Sequence, residues 1–512
     1  MSGFLGVVVA DDPQAAVVGR EILSAGGTAA DAVTAMYFTM AVTNPTHAGL
    51  SGGGVCVVRD NIHKRNDTLE FLAQVPVDAE GRLRGGVPVP GNPRGFATLH
   101  AKLGKLPWGN ILRPAENLAR FGNQVSRAFA RDLHDNRDRL ARLPAVVHLF
   151  RKAGTDYLAG EGERMDRSRL AGVLARLRAR GVGDFYAGQI ARDFVAEANQ
   201  LGGRLTVEDM RAYLPEVRPT IVVPYLPGTD LHFPSPPNPG GAMSAHLSAL
   251  LMEMGLTAEK ATVDRAHALA EAAQLSASVR RAWLLPSGRV TAPAYVLTDE
   301  DSLQALAKRI NKQRHTPRAQ LEGGIMDPAD GRQATGMVAI DLAGSAVACT
   351  VTMNRAFGSG RVLPSLGILL AQAVGRGSPP PNSATPVMIV RRSLKIDKTD
   401  QVYMAATATG GPSVIEALAD MVFRVSAIGE SLEAVIKGPR IVLDRKQDAL
   451  VAEPGLDTAV ADALKAKGHR IETGPSGVII NAIYCETGVP GKTQSCAARA
   501  DSRGFGLSAE GD

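Results

Sequence analysis

Cysteine is scarce in this chain: Cys56, Cys349, Cys485 and Cys496 are the only four among 512 residues. They are too few for a disulfide framework and lack CxxC metal spacing. Cys485 and Cys496 are near enough in sequence to pair, but spacing alone does not decide it. Long apolar runs are missing too. The longest early one, Phe4–Ala10, is too short to span a membrane and has neither a basic start nor a small-residue cleavage site, so no export signal is visible and the compartment stays open. Nor is there an excess of one charge: 57 Lys plus Arg against 51 Asp plus Glu gives a net +6. Basic residues cluster at 127–142 and 164–180, interleaved with Leu, Ala and Val at helical spacing. With Phe129 the only Phe, Tyr or Trp among them, they read as solvated helix faces, not a nucleic-acid surface.

The common catalytic signatures are absent as well. HExxH and GxGxxG do not occur, and the ten histidines are scattered, so neither a metal nor another cofactor is expected. Gly491-Lys492-Thr493 resembles the tail of a phosphate loop, but Glu486 stands where that motif needs its first glycine. A surface turn is the simpler reading.

What is present is ordinary globular composition, 45% apolar and 21% charged, in a chain long enough for a large core. A helix signal opens at Asp12-Pro13 and stops at Gly26-Gly27. Ala29–Val42, rich in small residues, reads as a buried helix running into Asn44-Pro45, and the glycines Gly52–Gly54 lead into a strand at Val55–Val58. From about residue 97 to 285 the pattern is mostly helical, including Ala191–Gln200 and Ala266–Leu284. The polar segment Asn311–Gln333 reads as an exposed loop or linker. Beyond it the period shortens: Gly336–Asp341, Ala346–Met353, Val387–Val390 and Val402–Thr407 read as strands, the first two joined through Ala343-Gly344-Ser345. Pro379-Pro380-Pro381 is a local turn or extended piece, and no repeat is apparent.

Several blocks then occur in a fixed order: GGTAADAVTAMYFTMAVTNPTHAGLSGGGVCVV (26–58), VPGNPRGFATLHAKLGKLPWGNILRPAENLARFG (89–122), GDFYAGQIARDFVAEANQLGGRLTVEDMRAY (183–213) and PSPPNPGGAMSAHL (234–247). After the polar segment come ATGMVAIDLAGSAVACTVTMNRAFGSGRVLPSLGILL (334–370), TGGPSVIEAL (409–418) and TQSCAARADSRGFG (493–506). Each block alone is common core material; together, in order and over almost the whole chain, they resemble the γ-glutamyltransferase family of N-terminal-nucleophile hydrolases.

The resemblance implies an α+β fold, a four-layer αββα sandwich, made as one precursor that cuts itself. It implies a large-subunit-like region over 1–334, mainly helical with core strands, and a strand-rich small-subunit-like region over 335–512, the two fragments staying associated after cleavage before Thr335. A threonine freed in this way joins a hydroxyl nucleophile to its own α-amine as base, a chemistry that needs no histidine. By resemblance Thr335 is the nucleophile, Thr352 hydrogen-bonds it, Gly410 and Gly411 offer backbone N–H groups to the oxyanion, and Asn354 and Ser383 contact substrate. Bland readings exist for each: a β-former opening a strand for Thr335, a cross-strand polar pair for Thr352 and Asn354, a tight turn for the glycines.

The chain also departs from the family pattern. The nucleophile lies seven residues before the acidic residue closing its strand, here Asp341, and that count reaches Ala334, whereas Thr335 is six away. A one-residue slip turns a strand side chain to the other face, so a catalytic Thr335 requires a bulge or a shortened linker. Gly336 stands where the family has a histidine, and Leu72 where an arginine holds the glutamyl carboxylate. The acidic pair expected after GILL is replaced by AQAVGRG with Arg376, and the usual serine pair is Asn382-Ser383. The resemblance leaves three functions: a γ-glutamyltransferase-like amidohydrolase or acyltransferase that cleaves γ-glutamyl (glutathione-type) or related small amides or peptides through an N-terminal threonine acyl-enzyme, an acylase of the same fold with non-glutamyl specificity, or an inactive, unprocessed member serving as a binding or scaffold protein.

Overall fold

The computed structural model describes residues 4–511 except 153, 256–261, 286–289, 322–333, 375–384, 394–398, 412, 445 and 492–494. Ser383, Arg376, Asn382, the triple proline and the Lys492-Thr493 turn therefore lie outside the described residues, as does most of the second half of the 311–333 segment.

Two helices at the start of the chain show how local sequence sets the first layer. Asp12 caps Pro13–Ser24, accepting from the Ala15 N–H at 3.1 Å, and Pro13 takes the first helical position, where its missing N–H costs nothing. Thr28 and Asp31 form a reciprocal capping box for Ala29–Thr43, at 3.2 and 3.0 Å. All fifteen residues of that helix are buried. Its small side chains let it lie flat between a sheet and the surrounding helices, and Asn44-Pro45 ends it as expected.

The first sheet orders its strands as Leu507–Gly511, Gly6–Ala10, Ala334–Asp341, Ala346–Thr352, Gly53–Asp60, Arg65–Phe71 and Glu216–Pro219. The second runs Cys496–Arg499, Ile479–Val489, Gln401–Thr409, Thr385–Arg391, Thr229–Phe233 and Ile221–Pro224. Every pairing within both is antiparallel. Between the sheets lies a dry layer built from Val7, Val9, Val57, Val338 and Ile340 on one side and Met388, Val390, Val402, Ala405 and Ile483 on the other. The alternate residues, such as Val8, Met337 and Ala339, face outward into the core shared with the first helices. Pro239–Glu253, Thr262–Val279 and Val414–Phe423 cover the far face of the second sheet. This is the four-layer αββα sandwich.

Both of these sheets mix strands from before and after residue 334, so neither large sheet belongs to one region alone. Three strands in the stretch read as helical, Glu216–Pro219, Ile221–Pro224 and Thr229–Phe233, escaped notice because prolines interrupt their alternation. The apolar run at Phe4–Ala10 supplies a strand of the first sheet, buried at each of Gly6–Ala10. Residues 311–316 are irregular and mostly exposed, as expected, and are anchored at their end: the His315 N–H donates to the Lys467 carbonyl at 2.7 Å and the Thr316 N–H to Glu271. The pairing of Cys485 with Cys496, left open by spacing, is present, and a second bridge joins Cys56 to Cys349. Each joins residues opposite one another in a ladder, and no described cysteine is free.

Candidate active-site region

Register decides what the strand Ala334–Asp341 presents to its surroundings. Its ladder with Ala346–Thr352 runs from Ile340↔Ala346 to Ala334↔Thr352 without a bulge. Side chains alternate along a strand. Val338 and Ile340 lie in the layer between the sheets, so Gly336 and Ala334 face that way; Met337 and Ala339 face the helices, so Thr335 does too. Val351, the cross-ladder partner of Thr335, sits in the helix-side core as well. This ladder holds no bulge, and Thr335 and Thr352 stand on opposite faces.

Both ends of the strand are pinned. At its close, Asp341 accepts from the Ala29 N–H and the Ser345 N–H, each at 3.0 Å, tying the hairpin turn to the start of the buried helix. Burial, the leading influence, holds its carboxyl above the usual range. At its opening, Asp11 accepts from the Thr335 hydroxyl at 2.8 Å and the Gly336 N–H at 2.9 Å. Asn481 reaches across from the second sheet, its amide donating to the other Asp11 oxygen at 2.8 Å and to the Gly336 carbonyl at 3.3 Å. Asp11, Thr335 and Asn481 are almost fully buried. A one-residue slip would break contacts at both ends.

Gly336 has no room for a side chain. A β-carbon there would lie 2.3 Å from the Thr407 hydroxyl oxygen and 3.6 Å from the Asn481 amide nitrogen. Thr407 thus fills the space beside Gly336. On the other side of the ladder Thr352 pairs with Gly53, and a β-carbon on Gly53 would meet the Leu72–Ala73 backbone at 2.2 Å. Leu72 therefore lies beside the Thr352 end of the sheet, as the block order implies. It is half-buried, and its carbonyl accepts from the Tyr213 hydroxyl at 3.0 Å.

Asn354 follows Thr352 after the strand ends. Its backbone is left-handed, φ +62°, a conformation asparagine tolerates better than most residues. Its N–H donates to the Thr352 hydroxyl oxygen and its side-chain amide to the Gln372 carbonyl, both at 2.8 Å. Gly410 ends the strand Gln401–Thr409 with φ +145° and is pressed against the Gly477 carbonyl, where a β-carbon would come within 2.3 Å. Next to it, Gly411 borders open space. Asp11 and Asn481, which fix the strand opening, were not singled out from sequence.

The sequence profile of the family described as gamma-glutamyltranspeptidase matches residues 15–510. The chain is 27% identical over 509 residues to the glutathione hydrolase proenzyme of Escherichia coli (strain K12), covering 91% of this chain and 86% of that protein. It is also 27% identical over 510 residues to the acylase ACY 1 proenzyme of Pseudomonas sp. (strain SE83), covering 93% and 88%. Among solved structures it superimposes on a cephalosporin acylase from Bacillus halodurans with a TM-score of 0.80 at 23% identity, covering 99% of this chain and 96% of that one. At that identity the likeness is one of fold, the N-terminal-nucleophile hydrolase sandwich. With a profile match over almost its full length, this chain belongs to the gamma-glutamyltranspeptidase family as a divergent member.

Proposed function

We propose that this chain is an unprocessed member of the family, one that binds an amide- or acyl-bearing small molecule and does not cut itself at Thr335. The observation that carries this reading is the placement of Ala334 across from Thr352. A methyl group offers no nucleophile. Thr335 lies on the other face with its hydroxyl committed to Asp11, and within an intact chain its nitrogen is a peptide nitrogen and so not a base. Leu72 supplies no guanidinium fork for a glutamyl carboxylate, which favours a less acidic acyl group. Gly411, which borders open space, leaves room for an amide carbonyl beside the glycine pair. Denaturing electrophoresis and N-terminal sequencing test the reading: a single 53.8 kDa chain with one N-terminus is expected, whereas a second N-terminus at Thr335 overturns it.

One observation favours a second reading, hydrolysis through Thr335. The Asp11 carboxylate lies 2.8 Å from the Thr335 hydroxyl, within reach to take its proton. Turnover of acyl anilides by the wild type that disappears in Thr335→Ala, with the fold intact, would select that reading.

A further inference from the structure

The fold gathers three of the scattered histidines on the far side of the second sheet, away from the Thr352 region. His267 and Glu271 lie one turn apart on the helix Thr262–Val279, so they share a face. His469 comes from the residue before the small strand Arg470–Thr473, and His315 from the tied segment after Asn311. The Nδ1 atom of His267 is 2.7 Å from Nε2 of His469, and His315 Nδ1 is 2.7 Å from a Glu271 oxygen. His267, Glu271 and His469 are each no more than 5% exposed.

We propose that His267 Nδ1, His469 Nε2 and a Glu271 carboxylate oxygen form a binding site for a divalent transition-metal ion of the zinc type. Three arguments carry it. These ligand atoms lie within 4.8 Å of one another, and two imidazoles with one carboxylate are a donor set that suits such an ion. The two nitrogens need to separate only to about 3.3 Å to sit at tetrahedral positions around an ion bound at about 2.0 Å. Further, the outer shell is already built. His267 Nε2 faces the Asn311 carbonyl at 2.8 Å, an acceptor only, which keeps the proton on Nε2 and leaves the Nδ1 lone pair directed at the site. Glu271 is held by His315 and by the Thr316 N–H, and His315 Nε2 in turn lies 3.4 Å from Asp448. Finally, Asp448 is 29% exposed and His315 9%, giving a polar approach from solvent to the buried ligands. Three ligands leave a fourth position for water or for His315.

The test uses untagged full-length protein, stripped with chelator and desalted. Cobalt(II) serves as the spectroscopic probe and zinc as competitor. One cobalt ion per chain is expected, with visible bands of the intensity of a four-coordinate ion, displaced by zinc. His267→Gln and His469→Gln are each expected to weaken binding by about 100-fold, and His315→Gln by about 10-fold through loss of the support to Glu271. His134→Gln, far from the cluster on another helix, should leave binding unchanged. Absence of stoichiometric binding to the wild type overturns the site, whatever the variants do. So does unchanged cobalt binding in a His267→Gln/His469→Gln protein whose circular dichroism matches the wild type.

Discussion

Ala334 stands directly across the ladder from Thr352, and Thr335 stands across from Val351. That pairing is fixed from both ends of the strand, by Asp341 on the Ala29 N–H and by Asp11 on the Thr335 hydroxyl and the Gly336 N–H. Residue 334 therefore brings no hydroxyl to the Thr352 face, and the Thr335 hydroxyl lies on the opposite one.

Restoring it is the most direct test. Ala334→Thr would put a hydroxyl on the Thr352 face without disturbing the ladder. If the remaining groups still support acyl transfer, this variant is expected to split before residue 334, seen as a new N-terminal threonine by sequencing. Thr335→Ala is expected to remain whole, like the wild type. Cleavage of the wild type, or its loss in Thr335→Ala, would contradict the assignment.

Gly336→Ala places a methyl group 2.3 Å from the Thr407 hydroxyl oxygen in a buried position. We expect a loss of about 1–3 kcal/mol, the usual range for overpacking, measured by urea unfolding. Thr407→Ala should recover part of it by vacating the space. A Gly336→Ala protein as stable as the wild type would mean that Thr407 moves aside freely.

Leu72→Arg tests the ligand. A guanidinium at this position can fork onto an α-carboxylate, so affinity for γ-glutamyl amides should rise about tenfold or more, while that for uncharged acyl amides should fall or stay level. Titration calorimetry reads both. Equal gains for both ligand classes would show that residue 72 does not face the bound carboxylate.

Glu70 gives the chain a built-in pH dependence. On the strand Arg65–Phe71 it is opposite Glu216, and burial pushes its pKa up to about 7, with Arg218 3.5 Å away only partly opposing the shift. A carboxyl with a raised folded pKa binds protons more tightly in the native state, so its contribution to stability falls as pH rises from the unfolded value through 7. Glu70→Gln should therefore gain on the wild type by about 2–3 kcal/mol between about pH 5 and about pH 8, by urea unfolding at each pH. A difference that does not change with pH would show that Glu70 is not buried as described.

How much of this was legible in the sequence follows from the range of each interaction. Local signals gave the capped helices at Pro13 and Ala29, the Gly344 hairpin and the strands on either side of it, because capping and alternation act within a few residues. The spacing of Ala334 and Thr335 from Asp341 already posed the register question, yet only the unbroken ladder answers it. Asp11 meets Thr335 across 324 positions and Asn481 meets Asp11 across 470, pairings to which no local pattern points. The histidine cluster escaped for the same reason: His267 and Glu271 at helical spacing are unremarkable until His469, 202 positions from His267, closes on them. Proline hid the three strands around residue 224, since it breaks the alternation by which a strand is recognised.

The Cys56–Cys349 bridge joins strands 293 positions apart, one on each side of the Ala334-Thr335 junction. It closes most of the chain before and just beyond that junction into a covalent ring. A single break anywhere inside the ring opens it without releasing a piece, so a nicked molecule would keep the mass of an intact one, gaining only a water, until a reductant is added. Paired denaturing gels with and without reductant thus separate two questions, whether a peptide bond has been cut and whether a disulfide still joins the pieces.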